Sequence, residues 1–490
     1  MSRHAAYRAR SLPQSLGLTL ISAVCPGSGF LMAGRVRLGA FVMTITATLV
    51  ALGAYVGIAK RDEVLALAVN PKDLLIANAA LVFLGVCWIA IIIASHRMLR
   101  PKPASTGGRA VGAAFVGLLC FAIAVPMAIG SQNVMAQRDL VTSVFASENN
   151  SHSATRPSID KQNPWEHKER LNLLLLGADS GAGRTGTRTD TVMVASIDTR
   201  TGNTKLISLS RNWMRMPFPE DSPLHAKYPQ GYWNPALGNI EQPEYYLDSM
   251  YQNVPDRYPG ILGQSDNEGA DVLKVSVGAA LGIPIDYYMQ VNLQGFRTMV
   301  DALGGITVNV NYRVPIGGSY GTGPGGGVAQ KPRGYIEPGA NKHLMGYDAL
   351  WFARGRYGLD DPSRQERQRC TIKAIVNAAD PGTLVTKYQA IARAGKELLR
   401  TDIPQELLPA FVELGLKVKH ATVSNVDLHS KQNFPSGRNP NYAAIRKLVA
   451  AAINPATPEP PRTPTTKPAT PTPGTQQNLE DACAYHPNPQ

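Results

Sequence analysis

The chain is poor in cysteine: it has five in 490 residues, irregularly spaced and with no C-x-x-C pair. That pattern offers neither a zinc cluster nor a dense disulfide framework. A small-residue cleavage site behind a short apolar core is also missing. Met1 to Gln14 is polar and basic (Arg3, Arg8, Arg10), so a cleaved signal peptide is not expected. Acid is the minority sign, with 36 Asp and Glu against 49 Lys and Arg, a net charge of +13. Partners are therefore expected to be anionic, and nucleic acid, anionic lipid and phosphorylated substrates all stay open on charge alone. The length allows two or three domains. Apolar residues are spent unevenly: the first 130 residues are largely apolar and the rest reads as a soluble domain.

Four apolar stretches lie at about 15–33, 38–59, 74–97 and 109–130. A membrane span needs about 20 apolar residues, and the last three qualify. Pro26, Gly27, Ser28 and Gly29 interrupt the first. Arg35 and Arg37 precede the second stretch, and Arg97, Arg100, Lys102 and Arg109 lie between the third and fourth. The positive-inside rule puts these basic turns and the N-terminus in the cytoplasm. The organisation expected is a cytoplasmic N-terminus with a re-entrant or interfacial segment (1–34), then three transmembrane helices (35–130). An extracytoplasmic stalk (131–168) comes next, its r.m.s. span roughly 35 Å if flexible. Residues 169–454 alternate short strands and helices as an α/β domain, and 455–490 form a Pro/Thr-rich disordered tail. The result is a multi-pass protein of the cell membrane with its large domain outside. Cys25, Cys87 and Cys120 fall in apolar segments as packing residues.

One stretch organises the large domain: LNLLLLGADSGAGRTGTRTD, Leu171 to Asp190. Its five leucines read as a buried strand, which empties into a Gly-rich loop carrying Asp179, Arg184, Arg188 and Asp190. TVMVASID then resumes as a strand. Carboxylates suit a hydrated divalent cation, guanidiniums suit phosphoryl oxygens, and glycines let the backbone come close. GAGRTG matches G-x-G-x-x-G, but that fingerprint must open a helix, and here a strand comes after it. Gly-Lys-Ser/Thr, which a P-loop requires, is absent. An ordinary solvated hairpin loop is the competing reading.

A second cluster spans Gly346 to Arg369, GYDALWFARGRYGLDDPSRQERQR. Arg354 and Arg356 alternate, so on a strand both would point to one face. Arg364, Arg367 and Gln368 stand at helical spacings. Converging guanidiniums grip a pyrophosphate better than lysines do. A solvated basic face or a nucleic-acid patch competes, although placement outside the membrane removes nucleic acid. In KLISLSRN, Arg211 ends a strand, where pairing with an acid is the plain alternative. Strands are expected at 171–176, 190–198, 204–209 and 306–311, and helices at 272–282 and 293–305. Residues 228–268 hold six tyrosines, read as a long surface loop or a carbohydrate-contacting surface. GGSYGTGPGGG (317–327) reads as a flexible loop.

In order and spacing, these stretches together with IPIDYYMQVNLQGFRTMVDALGGITVNV resemble the LytR-CpsA-Psr family of envelope-polymer ligases over about residues 169–454. The resemblance implies an α/β/α sandwich, with an apolar cavity for a polyprenyl chain and arginines at its mouth. It implies Mg²⁺ on Asp179 and Asp190, phosphate contacts from Arg188 and Arg211, and pyrophosphate contacts from Arg354 and Arg356. Those six residues form the implied catalytic set. Asp361, Arg364, Arg367 and Gln368 complete the implied substrate contacts. Two departures stand out. Arg188-Thr189-Asp190-Thr191 replaces the usual Arg-Ser-Asp-Thr and keeps the hydroxyl, whereas Arg211-Asn212 replaces a frequent Arg-Asp and loses a charge. The implied reaction moves a glycopolymer of teichoic acid or arabinogalactan type from polyprenyl pyrophosphate to a peptidoglycan hydroxyl. A polyprenyl-pyrophosphate phosphatase and a non-enzymatic transcriptional attenuator are the alternatives, and the latter finds no DNA-binding motif here. Cys370 and Cys483, the two cysteines outside the apolar segments, are expected to pair in an oxidising environment and tie the tail near the site.

Overall fold

The computed structural model describes residues 9–60, 67–101, 105–158, 160, 163–179, 188–238, 242–319, 329–379, 387–428, 440–454, 477–478 and 483–486. They fall into two compact units, Met1–Val141 and Thr142–Gln490.

The first unit is helical: α1 (Leu12–Val24), α2 (Ser28–Met32), α3 (Val36–Ala59), α4 (Pro71–Leu99) and α5 (Thr106–Val144), the last running into the second unit. Ser11 caps α1 and Asn70 caps α4, each accepting from a first-turn N–H. Among the described residues α3, α4 and α5 are long and apolar enough to cross a membrane, and α1 is shorter. The interruption read at 26–29 is a turn at Pro26 and Gly27 that opens α2: Gly27 has φ 101°, and a Cβ there would meet the Gly39 carbonyl at 2.8 Å. α1 turns its hydroxyls onto α4. Ser22 Oγ donates to Ser95 Oγ (2.8 Å), Thr19 Oγ1 bonds His96 Nδ1 (3.1 Å), and Trp88 Nε1 donates to the Ala23 carbonyl (2.9 Å).

Past Gly130 the structure departs from the expected linker. SQNVMAQRDLVTSV holds no Gly or Pro to stop a helix, and α5 continues to Val144. Residues 152–154, beyond that helix, are bound within the second unit rather than free. Asp266 N donates to the His152 carbonyl (2.9 Å) and His152 N to Asp266 Oδ2 (2.8 Å), and Ser153 Oγ faces Asp271 Oδ1 (2.9 Å) and Asp402 Oδ2 (3.1 Å). The Ala154 N–H donates to Asp271 Oδ2 (3.0 Å). Asp402 in turn holds Lys274 Nζ at 2.6 Å and the Tyr288 N–H at 2.8 Å. Lys274 is 2% exposed and Asp402 6%, so a charge left there alone has no water to turn to. Lys274→Met is expected to cost about 3–5 kcal/mol by stranding a buried carboxylate. Thermal unfolding of the detergent-solubilised chain measures this, and adding Asp402→Asn should recover part of the loss.

The second unit's strands are β1 (Arg170–Asp179), β2 (Arg188–Asp198), β3 (Thr204–Leu209), β4 (Tyr287–Asn292), β5 (Ile306–Val310) and β6 (Val314–Ser319). They continue with β7 (Gln330–Ile336), β8 (Gly339–Leu344), β9 (Leu399–Thr401), β10 (Val423–Val426) and β11 (Gln477–Asn478). Seven form one mixed sheet in the order β11-β10-β3-β2-β1-β4-β9, and β5-β8 and β6-β7 form two small ribbons. β1, β3, β4 and β10 run parallel, so their C-terminal ends share one edge. The helices longer than two turns are α6 (Leu247–Arg257), α7 (Glu268–Leu281), α8 (Leu293–Leu303), α9 (Gly346–Arg354), α10 (Asp361–Ala378), α11 (Tyr388–Leu398), α12 (Leu408–His420) and α13 (Tyr442–Ile453).

Alternation divides the sheet. Leu174, Leu176, Val192, Val194, Ile207 and Leu209 face α6, α7 and α13 in one core. The opposite face meets α12, where Tyr287 packs edge-on against Phe411, and α10, whose Gln368 bonds Thr191. Helices on both sides make this the expected α/β/α sandwich. The Tyr-rich stretch is neither of the two things expected of it. Tyr228, Tyr232, Tyr245 and Tyr246 are buried, the first three within this core, where Tyr228 and Tyr232 meet edge to face with ring centroids 5.2 Å apart. Burial of aromatic area, not solvent, explains their number.

The tail is partly ordered. β11 extends the sheet beside β10, and Cys483 is bonded to Cys370 of α10, as expected from sequence. Asn309 and Asn311 side chains donate to the carbonyls of Cys483 and Ala484. Residues 455–476 lie outside the described residues, as do 320–328 of the Gly-rich loop.

Candidate active site

The hairpin read from sequence forms. Asp179 pairs with Arg188, Ala178 with Thr189 and Gly177 with Thr191, so Asp190 is the extra residue of a β-bulge. Asp179 and Asp190 thus stand at the mouth of the hairpin, on the edge where β1, β3 and β4 end. The side chains of Asp179, Arg188, Asp190 and Asp361 lie outside the described residues.

Arg211 arrives at the same edge two residues past β3. Its backbone is fixed by the start of α6, whose first N–H groups lack intrahelical partners. Leu247 N donates to the Trp213 carbonyl (3.0 Å) and Asp248 N to the Arg211 carbonyl (3.0 Å). The Asp248 carboxylate, 2% exposed, stands 3.7 Å from Arg211 Nη1. Asp248 is a residue the sequence reading missed. It sits far along the chain in the Tyr-rich stretch, and it puts an acid beside Arg211 although Asn212 does not. Asp248→Asn keeps the shape and removes the charge. A five- to tenfold fall in kcat/KM is expected, equivalent to about 1–1.4 kcal/mol, with little change in Tm.

α10 brings the second cluster to the hairpin. Asp360 caps it by accepting from Ser363 N (3.1 Å), with Pro362 in the first turn. Gln368 Nε2 then reaches across to Thr191 Oγ1 at 2.8 Å, the residue beside Asp190. Arg364, one turn earlier on that face, is 3% exposed.

Two geometries considered from the sequence are not the ones found. Arg354 and Arg356 are not on a strand. Arg354 is the last residue of α9 and Arg356 lies in the turn behind it, because Gly346 to Arg354 buries Ala349, Leu350 and Phe352 along one helical face. Arg367, expected among the substrate contacts, is turned inward. Its Nη1 donates to the Phe352 carbonyl (2.6 Å), Nη2 to the Gly355 carbonyl (2.6 Å), and Nε to the Ser363 carbonyl (3.3 Å) and Tyr312 hydroxyl (3.2 Å). Burial lowers its guanidinium from the ordinary value, while Tyr312 and Glu366 beside it work the other way; arginine stays cationic throughout.

Two strand ends, a hairpin and two helices thus converge on one edge. Asp190 neighbours Thr191, Thr191 holds Gln368, and Arg367 next to it holds the Arg354–Arg356 turn. A model of the LytR_cpsA_psr family matches residues 140–449. The chain belongs to that family. Among its LytR_cpsA_psr relatives, the "polyisoprenyl-teichoic acid–peptidoglycan teichoic acid transferase TagU" of Enterococcus faecalis is 28% identical over 266 residues, covering 53% of this chain and 70% of its own length. The protein of that name from Bacillus subtilis is 24% identical over 258 residues, covering 50% of this chain and 63% of its own. A solved "LytR-Csp2A-Psr enzyme" from Actinomyces oris is 18% identical, covers 57% of this chain and 88% of its own, and superposes with a TM-score of 0.34. Most of the helical first unit lies outside the LytR_cpsA_psr match.

Proposed function

We propose that this protein transfers a glycopolymer from a polyprenyl-pyrophosphate carrier to a hydroxyl of peptidoglycan. The observation that carries the reading is the Gln368–Thr191 hydrogen bond, which joins the arginine-bearing helix to the acid-bearing hairpin. The relatives' names supply the class of donor and acceptor.

In the proposed reaction the acceptor oxygen forms a bond to the sugar-side phosphorus. The bond from that phosphorus to the bridging oxygen breaks, polyprenyl phosphate leaves, and the hydroxyl proton passes to a carboxylate or to water. Arg188, Arg211, Arg354 and Arg356 bind phosphoryl oxygens, and as fixed cations they also meet the charge that grows on the bridging oxygen. A pair of carboxylates without imidazole or thiolate is a hard-oxygen donor set. It fits Mg²⁺, which is commonly held by one or two carboxylates together with substrate phosphates. Asp179 and Asp190 would hold the ion, which would supply Lewis-acid charge neutralisation at the phosphates.

A place for the lipid has support in burial. Leu175, Met289 and Val291 lie on the neighbouring inner strands β1 and β4, yet they are only half-buried. Apolar side chains in mid-sheet that stay accessible indicate that the helices above do not close over them. We place the polyprenyl chain there. The three apolar helices anchor the chain in the cell membrane. The Cys370–Cys483 bond supports an extracytoplasmic second unit, since disulfides persist in oxidising compartments.

The test supplies the detergent-solubilised full chain with a polyprenyl-pyrophosphate oligosaccharide, a peptidoglycan oligomer and Mg²⁺. A new sugar-phosphodiester on the oligomer, abolished by chelation, is expected. Release of polyprenyl phosphate without sugar transfer would instead make the protein a phosphatase.

A further inference from the structure

The inward turn of Arg367 has a consequence for the reaction, given the site reading above. The last carbonyls of a helix have no partner within it, and α9 ends at Arg354. Arg367 supplies donors to those carbonyls from α10, at Phe352 and Gly355. The turn is pressed from the other side as well. A Cβ on Gly355 would stand 2.5 Å from the Pro315 carbonyl of β6, and one on Gly318 would stand 2.8 Å from the Tyr357 ring. Residues 354–357 are therefore wedged between β6 and a buried guanidinium. Tyr312 completes the wedge, as its hydroxyl accepts from Arg367 Nε and donates to the Ser363 carbonyl (3.3 Å). Adjacent residues of α10 thus hold both halves of the site, Gln368 the acid hairpin and Arg367 the arginine turn.

We propose that Arg367 is a positioning residue: it fixes the Arg354–Arg356 turn on the diphosphate and makes no contact with substrate itself. Its charge is spent on backbone carbonyls at 2.6 Å, and it is 4% exposed. A guanidinium in that setting sets distance and direction for its neighbours. Lysine, a single point donor, reaches one of those carbonyls at a time.

The test is a double-mutant cycle on the full chain in detergent, reading affinity for farnesyl diphosphate, with Tm recorded for every variant. Arg354→Ala and Arg367→Met are each expected to weaken binding about tenfold. Together they should be no more than about twofold worse than Arg354→Ala alone, because both remove the same grip. Arg367→Lys should recover part of the loss, and Tyr312→Phe should lose two- to fivefold, again without adding to Arg354→Ala. A double variant about a hundredfold down would show independent contacts and overturn the proposal, as would unchanged binding in a folded Arg367→Met. If Arg367→Met does not fold, Tyr312→Phe takes its place in the cycle, and additivity there overturns the proposal equally. A folded Arg354→Ala with wild-type affinity would mean that the diphosphate site itself is misplaced, a different failure.

Discussion

Replacing Arg356 with alanine is expected to lower turnover at least about a hundredfold, the scale seen when one fixed charge-stabilising donor is removed from a site. The fold should notice little, with Tm moving by no more than about 2 °C, since Arg356 is only partly buried and exchanges away from the core are usually small. Arg356 is the better probe of the pair because it lies in the turn behind α9. Arg354 is the helix's last residue, with its guanidinium 5.4 Å from the Trp351 ring, so its truncation also disturbs packing. Charge grows on the bridging oxygen only as the bond breaks. The loss should therefore fall on kcat more than on KM. Lysine at 356 should keep about a tenth of the activity or less, lacking the two-pronged geometry that matches a phosphate. Steady-state transfer of a labelled saccharide measures all of this. Turnover within threefold of wild type would remove Arg356 from the reaction.

How far sequence predicts this site depends on how local each determinant is. The leucine run 171–176 is its own evidence for β1, and the helical character of α10 is legible from Arg364, Arg367 and Gln368 at spacings of three and four. Arg354 and Arg356 mislead because a two-residue alternation suits a strand, while the signal that ends α9 comes from elsewhere. Its last carbonyls are met by Arg367, on the next helix. Arg367 misleads for the same reason, since nothing in RQERQR says that one arginine points inward. Asp248 has no local signal at all: it meets Arg211 only because α6 docks its N-terminus on the chain behind β3. The tyrosines mislead by composition, since a residue common in loops and sugar sites here fills a core. The two-residue strand β11 in the tail has no signal in the sequence.

Opening the Cys370–Cys483 bond is expected to cost the most stability of any single change outside the core. Its half-cystines are 113 residues apart, and in the chain-entropy account a loop of that size is worth about 4–5 kcal/mol. For a domain of this size that corresponds to a fall in Tm of about 5–7 °C. The tail should stay seated in the reduced native state, because three hydrogen bonds hold it independently of the disulfide. Asn309 and Asn311 donate to the Cys483 and Ala484 carbonyls, and the His486 N–H donates to Asn311 Oδ1 at 2.8 Å. A measured fall of about 5–7 °C is therefore the expectation, by thermal unfolding with and without a thiol reductant. Cys370→Ala/Cys483→Ala should sit at the reduced value and ignore the reductant. Activity should fall less, about three- to tenfold, because Cys370 lies two residues beyond Gln368 on the helix that holds both halves of the site. A reduced protein with unchanged Tm but lost activity would show that the bond acts on the pose of α10 alone. One with unchanged Tm and unchanged activity would show that the three hydrogen bonds suffice to seat the tail.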